Sequence, residues 1–305
     1  MDVLGRSLQW VSEKPWVHRM VTEGKLTSGV VNRFVAGDHL DDAVTAIQQL
    51  NAKKVGGILD LLGEGVVDPA GAEAAAHAYL ASIKRIQASG IDTTVTVKPT
   101  QLGLAIDKGA CIDHLRVLAA EAQAIGAVVE IDMEQSEYVT DTIEIFRLLR
   151  GDFPDLRLAI QAYLRRTPSD LESLADIPPK VRLVKGAYAE PPEIAFQKKT
   201  EIDAQYRYLT EWLFEKGHDP GIATHDGKLI THARSCAERS GRSLQDFEIQ
   251  MLYGIRRDLQ EQLAAQGHRV RVYVPFGSAW YPYLMRRMAE RPANLKFFLR
   301  ALVRN

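Results

Sequence analysis

The chain has 305 residues, 46% of them hydrophobic and 25% charged, enough for one large globular domain or two modest ones. Its formal net charge is −1, with neither a basic stripe to follow a nucleic-acid backbone nor an acidic block, which argues against a duplex DNA partner. The two cysteines, Cys111 and Cys236, lie far apart without a CxxC spacing, which argues against a disulfide framework or a zinc knuckle and fits a reducing cytoplasm.

The N-terminal stretch MDVLGRSLQWVSEKPW lacks a continuous apolar run after a basic start, and no later stretch has the length needed to span a bilayer. Residues 1–50 read as helices, with Leu8, Val11 and Trp16 before a turn region at Glu23 to Leu26 and a second apolar pattern through Val44, Ile47 and Leu50. From Gly56 onward, short runs rich in Val, Ile and Leu alternate with longer helical patterns. The runs are GGILDLLG (56–63), TTVTVKP (93–99), AVVEIDM (127–133), LRLAIQAYL (156–164), VRLVKGAY (181–188), GIATHD (221–226), FEIQMLYG (247–254) and RVYVPFG (271–277). Between them, helices are predicted over Gly71–Ala88, Ile112–Ile125 and Glu193–Phe214. Strands apolar on both faces, each followed by a helix, predict a parallel sheet closed into a (βα)8 TIM-like barrel over residues 51–305, with residues 1–50 as an N-terminal helical extension packed on it as an arm or lid. An open doubly wound sheet is the alternative. It is disfavoured because no GxGxxG turn follows the first strand.

In such a barrel the active site gathers at the C-terminal ends of the strands. Those ends are polar: Lys98 on the second run, Asp132 and Glu134 on the third, Gln161 and Tyr163 on the fourth, Lys185 and Tyr188 on the fifth, Thr224, His225 and Asp226 on the sixth, Gln250 on the seventh and Tyr273 on the eighth. Arg182 lies within the fifth run. A charge inside a barrel must be paired or serve a ligand, and Lys98 with Asp132, on adjacent strands, are an expected pair. After the eighth run, a helix from Trp280 to Glu290 would place Tyr283, Arg286, Arg287 and Glu290 on one face beside an apolar stripe of Leu284, Met285 and Met288. Adjacent guanidinium forks steadied by a carboxylate suit a small anionic guest. The residues alone leave other readings open: Arg286 and Arg287 as solvated surface charges, Asp132 and Glu134 as strand ends reaching water, and His225 as a satisfied core histidine. A desolvated Lys98 or Lys185 would serve a Schiff-base aldolase, and a non-catalytic amino-acid sensor is a third class. Too few further His and carboxylate positions accompany THD and EID for a metal site, so no metal is expected.

The stretch YVPFGSAWYPYLMRRMAERPAN, from Tyr273 to Asn294, resembles the C-terminal signature of the proline dehydrogenase family, flavoenzymes that oxidise L-proline. LDLLGEGV (59–66), QAYLRRTPSDL (161–171), RLVKGAYAE (182–190), ATHD (223–226) and FEIQMLYG (247–254) resemble that family in its order, from about Phe34 to Asn294. The resemblance implies the monofunctional bacterial type, with FAD as cofactor and pyrroline-5-carboxylate as product. Arg286 and Arg287 would pair with the proline carboxylate, with Lys98 opposite and Glu290 orienting the arginines. Tyr273, Tyr283 and Leu252 would wall the pyrrolidine ring. Arg182 would lie near the reactive flavin nitrogen, supported with Lys98 by Asp132, and Gln161 would bond the pyrimidine edge. Lys185, Gly186 and Ala187 would lie along the FAD phosphates, and Thr224, His225 and Gln250 would complete the cofactor shell. It also implies a quinone acceptor, hence a cytoplasmic protein with peripheral contact at the inner face of the cytoplasmic membrane, through N-terminal helices carrying Trp10 and Trp16. Two departures from the family pattern, Ala189 after GAY and Asp226 after His225, bear on the flavin surroundings.

Overall fold

The structure is a computed structural model and describes residues 28–63 and 65–290. Eight strands close into one parallel barrel, each hydrogen-bonded to its sequence neighbours and β8 to β1. They are β1 (Gly56–Leu61), β2 (Thr93–Val97), β3 (Val129–Ile131), β4 (Arg157–Gln161), β5 (Lys180–Val184), β6 (Gly221–Ala223), β7 (Glu248–Leu252) and β8 (Arg269–Phe276). Helices α1 (Ser28–Phe34) and α2 (Leu40–Asn51) precede the barrel. Between the strands run α3 (Pro69–Ser89), α4 (Lys108–Ala124), α5 (Val139–Arg150), α6 (Thr167–Ser173), α7 (Lys199–Lys216), α8 (Gly227–Arg239) and α9 (Arg257–Ala265), and α10 (Trp280–Glu290) follows β8. The expected (βα)8 fold is therefore present.

Local chemistry explains where the helices begin and end. Asp68 caps α3 by accepting from the Gly71 amide at 2.8 Å, Pro69 occupies its first turn, and Gly90 closes it at φ +62°. Its buried residues Ala72, Ala76, Tyr79, Ile83 and Ile86 recur at helical spacing, so one stripe faces the sheet. Before the barrel, α2 buries Ala43, Val44, Ala46 and Ile47 in the core shared with the strands. One expectation needs correcting: the helix predicted over Glu193–Phe214 begins only at Lys199. Upstream, the Phe196 amide donates to the Tyr163 carbonyl at 2.8 Å and Ala195 bridges Leu164, so this apolar stretch packs as a loop.

The outward strand residues, among them Leu59, Val95, Ile131, Leu158, Leu183, Ile249, Val272 and Val274, are buried under the helices. Inside the barrel the expectation of apolar faces fails. Charged groups occupy the interior and bond across it. Glu248 accepts from Arg157 (2.6 Å), Arg269 (2.7 Å), Arg271 (2.9 Å) and the Gln250 amide (3.0 Å), while Asp219 accepts from Arg157 and Arg269 at 2.8 and 2.7 Å. Burial alone would raise the Glu248 carboxyl, but Arg157, Arg271 and Arg269 outweigh it and hold it well below the usual carboxylate range. One layer higher, Glu130 accepts from Thr94 at 2.7 Å and lies 3.5 Å from Arg157 and 3.4 Å from Arg182. Opposite charges thus alternate from the closed end of the barrel towards its mouth, so that no layer carries an uncompensated buried ion.

Candidate active site

At the mouth, strand register brings Asp60, Lys98, Asp132, Arg182 and Tyr273 together from five strands or their ends. The Lys98 ammonium pairs with Asp60 Oδ1, and Asp132 Oδ2 stands 3.7 Å away. The closest partner of Lys98 is therefore Asp60 rather than the expected Asp132. Asp132 instead receives Arg182 Nη2 on Oδ1 and the Tyr273 hydroxyl on Oδ2 at 2.8 Å. Arg182 Nη2 also donates to Thr96 Oγ1 at 3.0 Å, and the guanidinium lies 5.3 Å from the centre of the Tyr273 ring. Two cations and two carboxylates compensate each other in a knot where Asp60, Lys98 and Arg182 are at most 5% exposed.

Burial opposes the Lys98 charge, but Asp60, Tyr273, Tyr79 and Asp132 outweigh it, so the ammonium is held well above the usual lysine range. Burial pushes the Asp60 carboxyl up from its ordinary value, against the pull of the Lys98 ammonium. Burial likewise opposes the charge on Arg182, and Asp132 and Glu130 reverse its effect. A protonated Lys98 is a poor carbonyl nucleophile, and Lys185 is engaged by Asp203 at 2.5 Å, so neither lysine is poised for Schiff-base chemistry.

The residues that the resemblance assigns to a cofactor lie in or just after β4 to β7. Gln161, at the end of β4, donates to the Glu134 carbonyl at 2.8 Å. Thr224 Oγ1 accepts from the Asp226 amide at 3.1 Å, and Asp226 itself caps α8 through the Lys228 amide at 3.0 Å. His225 Nε2 accepts the Leu252 amide at 2.9 Å, which places the proton of the neutral ring on Nδ1. Gly186 has φ +115°, and a Cβ there would overlap the Tyr163 ring. Only glycine fits. Ala187 follows it, partly exposed, in the same loop. Among the buried side-chain atoms without a protein hydrogen-bond partner are Gln250 Oε1, Arg182 Nε and Asp60 Oδ2. Such atoms ask for a guest with complementary polar groups.

Over the mouth, Tyr281, Tyr283, Leu284 and Met285 of α10 form a second apolar cluster with Phe34, Val35, Leu62 and Ile255, against which Leu252 and Tyr273 pack. The predicted ring-wall residues Leu252, Tyr273 and Tyr283 are thus brought together. Arg287 is buried with its guanidinium 5.2 Å from the Tyr283 ring centre, and Arg286 lies 5.9 Å from that of Tyr188 in the loop after β5. The expected roles of the Glu290 side chain and of Trp10 and Trp16 fall outside the described residues. Sequence reasoning missed Asp60, Thr96, Glu130, Arg157, Glu248 and Arg271. The available signal was a polar residue at every second position of otherwise apolar runs, as in Glu248 and Gln250.

The family profile described as proline dehydrogenase matches residues 43–300. The chain belongs to the proline dehydrogenase family. It is 38% identical to the proline dehydrogenase of Deinococcus radiodurans, with 96% of each chain aligned, and 36% identical to proline dehydrogenase 1 of Bacillus subtilis subsp. natto, covering 89% of this chain and 90% of that one. Among solved structures, proline utilization A (PutA) from Bdellovibrio bacteriovorus inactivated by N-propargylglycine superposes with a TM-score of 0.81 at 26% identity, over 87% of this chain. This chain spans about a third of that longer protein, 33% of its length. As a proline dehydrogenase it is an oxidoreductase acting on proline, in the first step of proline catabolism. Among the described residues no helix is long and apolar enough to cross a membrane.

Proposed function

We propose that the protein is an FAD-dependent L-proline dehydrogenase that delivers electrons to a quinone and releases pyrroline-5-carboxylate. The observation that carries this reading is the mouth itself, where a charge-balanced knot of Lys98, Asp132, Arg182 and Tyr273 lies below the apolar cluster of α10 and beside buried polar atoms awaiting a partner. When bound, FAD supplies the hydride acceptor for proline C5 at its N5 and carries the electrons on.

The residues present fit that cofactor. Gln250 Oε1 and Arg182 Nε are buried and available to its polar edge, and Gly186 offers backbone with no side chain in the way. Lys185, Ala187, Thr224, His225 and Gln161 complete the cradle. Arg182, a cation fixed by Asp132 and Thr96, is suited to stabilise negative charge developing beside it. Arg286 and Arg287 grip the proline carboxylate, with Lys98 opposite and Glu290 steadying the arginines. Leu252, Tyr273 and Tyr283 exclude water from the ring. We assign residues 51–305 to the catalytic barrel and residues 1–50 to an arm packed on it, through which the protein meets the inner face of the cytoplasmic membrane. An absorbance spectrum of the purified protein before and after anaerobic addition of proline tests the reading. Flavin bands that bleach with proline are expected, and a folded, colourless protein that takes up no FAD would overturn it.

A further inference from the structure

Away from the mouth, on the outer surface, Glu211 of α7 faces His232 and Cys236 of α8. A carboxylate oxygen, an imidazole nitrogen and a thiol sulfur lie within 4.8 Å of one another there. His232 and Cys236 are four residues apart on one helix and so share a face, while Glu211 approaches from the neighbouring helix. Cys236 Sγ is 3.6 Å from His232 Nε2, which is 3.4 Å from Glu211 Oε1. Around a tetrahedral zinc ion, bond lengths of about 2.3 Å to sulfur and 2.0–2.2 Å to nitrogen and oxygen put neighbouring donor atoms roughly 3.3–3.6 Å apart. Both separations match that spacing, and the third pair of donor atoms lies within 4.8 Å.

An independent observation shows that this spot attracts positive charge. Arg239 Nη2 lies 3.3 Å from Cys236 Sγ and 3.7 Å from Glu211 Oε1, bridging two of the three donors. Its side chain is 60% exposed, so it can swing into water and surrender the position. The set of one sulfur, one nitrogen and one oxygen favours a borderline-soft cation over magnesium or calcium, which take oxygen ligands.

We propose that Glu211, His232 and Cys236 form an exchangeable binding site for a divalent zinc-type ion, separate from the catalytic mouth, which clips α7 to α8. Binding releases the Cys236 thiol proton to solvent and moves the imidazole proton to Nδ1. That frees His232 Nε2, now 3.2 Å from the Arg207 carbonyl, to ligate. Water takes the fourth position, beside the exposed Glu211.

The test is calorimetric titration of the metal-free holoprotein with zinc, together with a cobalt(II) difference spectrum in which a thiolate-to-cobalt band reports sulfur ligation. Cys111 is buried with its Sγ 3.5 Å from the Pro99 carbonyl and lies in a different part of the fold, so such a band would report Cys236. One zinc per chain is expected, with affinity reduced roughly tenfold or more in Cys236→Ser and in Glu211→Gln. Arg239→Gln, which removes the competing cation, should bind zinc more tightly. If Cys236→Ser does not fold, His232→Gln gives the same readout from a partly exposed position. Absence of uptake by the parent, parental affinity in the ligand variants, or unchanged affinity in Arg239→Gln would overturn the proposal.

Discussion

Replacing Asp60 by Asn tests whether the mouth of the barrel is held together by compensated charge. Asp60 and Lys98 are 1% and 5% exposed, and Asn keeps the shape of the carboxylate while removing its charge. Lys98 would then depend on Asp132, 3.7 Å away and already engaged by Arg182 and Tyr273. Leaving one member of a buried pair without its counter-ion costs about 3–5 kcal/mol, whereas replacing both with apolar groups of similar size is close to neutral. Asp60→Asn should therefore destabilise by about 3–5 kcal/mol, and Asp60→Leu combined with Lys98→Met by much less. Urea titrations followed by tryptophan fluorescence measure both, and an unchanged slope would assign the shift in midpoint to stability. A loss below about 1 kcal/mol in Asp60→Asn, or additive losses in the double variant, would refute the coupling, because neighbours that share a pair are expected to be non-additive.

Three further outcomes are expected. Gly186→Ala, at φ +115° against the Tyr163 ring, should lose roughly 1–3 kcal/mol and retain FAD poorly. Gly90→Ala, at φ +62° in open space, should lose only about 1 kcal/mol and retain FAD normally, with cofactor content after gel filtration as the readout. Arg286→Met and Arg287→Met should each weaken proline binding by about 2–5 kcal/mol, measured by equilibrium titration of the oxidised enzyme. His268 is 4% exposed, and burial, aided by the positive charge of Arg234, pushes its imidazole down to about 4. Between its unfolded value near 6.5 and about 4, the unfolded chain binds a proton that the folded chain refuses, so stability is lost as the pH is lowered through that window, by roughly 2–3 kcal/mol. Replacing His268 by Gln should flatten the fall, seen in urea midpoints at pH 7, 5.5 and 4.

The architecture was legible because each strand carries its own signal. Runs such as Thr93–Val97 and Lys180–Val184 set valine or leucine at every second position, a period of two that marks a strand. The resemblance supplied the residues at the mouth, and the structure brings Lys98, Asp132, Arg182 and Tyr273 within contact of one another. Asp60 escaped notice because a single carboxylate between leucines looks like a strand defect until the barrel closes and sets Lys98 beside it. The same holds for Glu248, whose arginine partners come from β4 and β8. The premature start assigned to α7 has another cause: Ile194, Ala195 and Phe196 are three apolar residues in a row beside a helical pattern, but they pack as a loop on the segment that follows β4.

A barrel filled with alternating ions has an evolutionary corollary. Where a greasy interior tolerates drift one methyl group at a time, a lattice of opposite signs permits exchange only in matched sets, since any lone replacement strands its neighbour. Positions such as Arg157 and Glu248 should therefore vary together or not at all among relatives, and redesign of the pocket would have to move couples of residues rather than individuals.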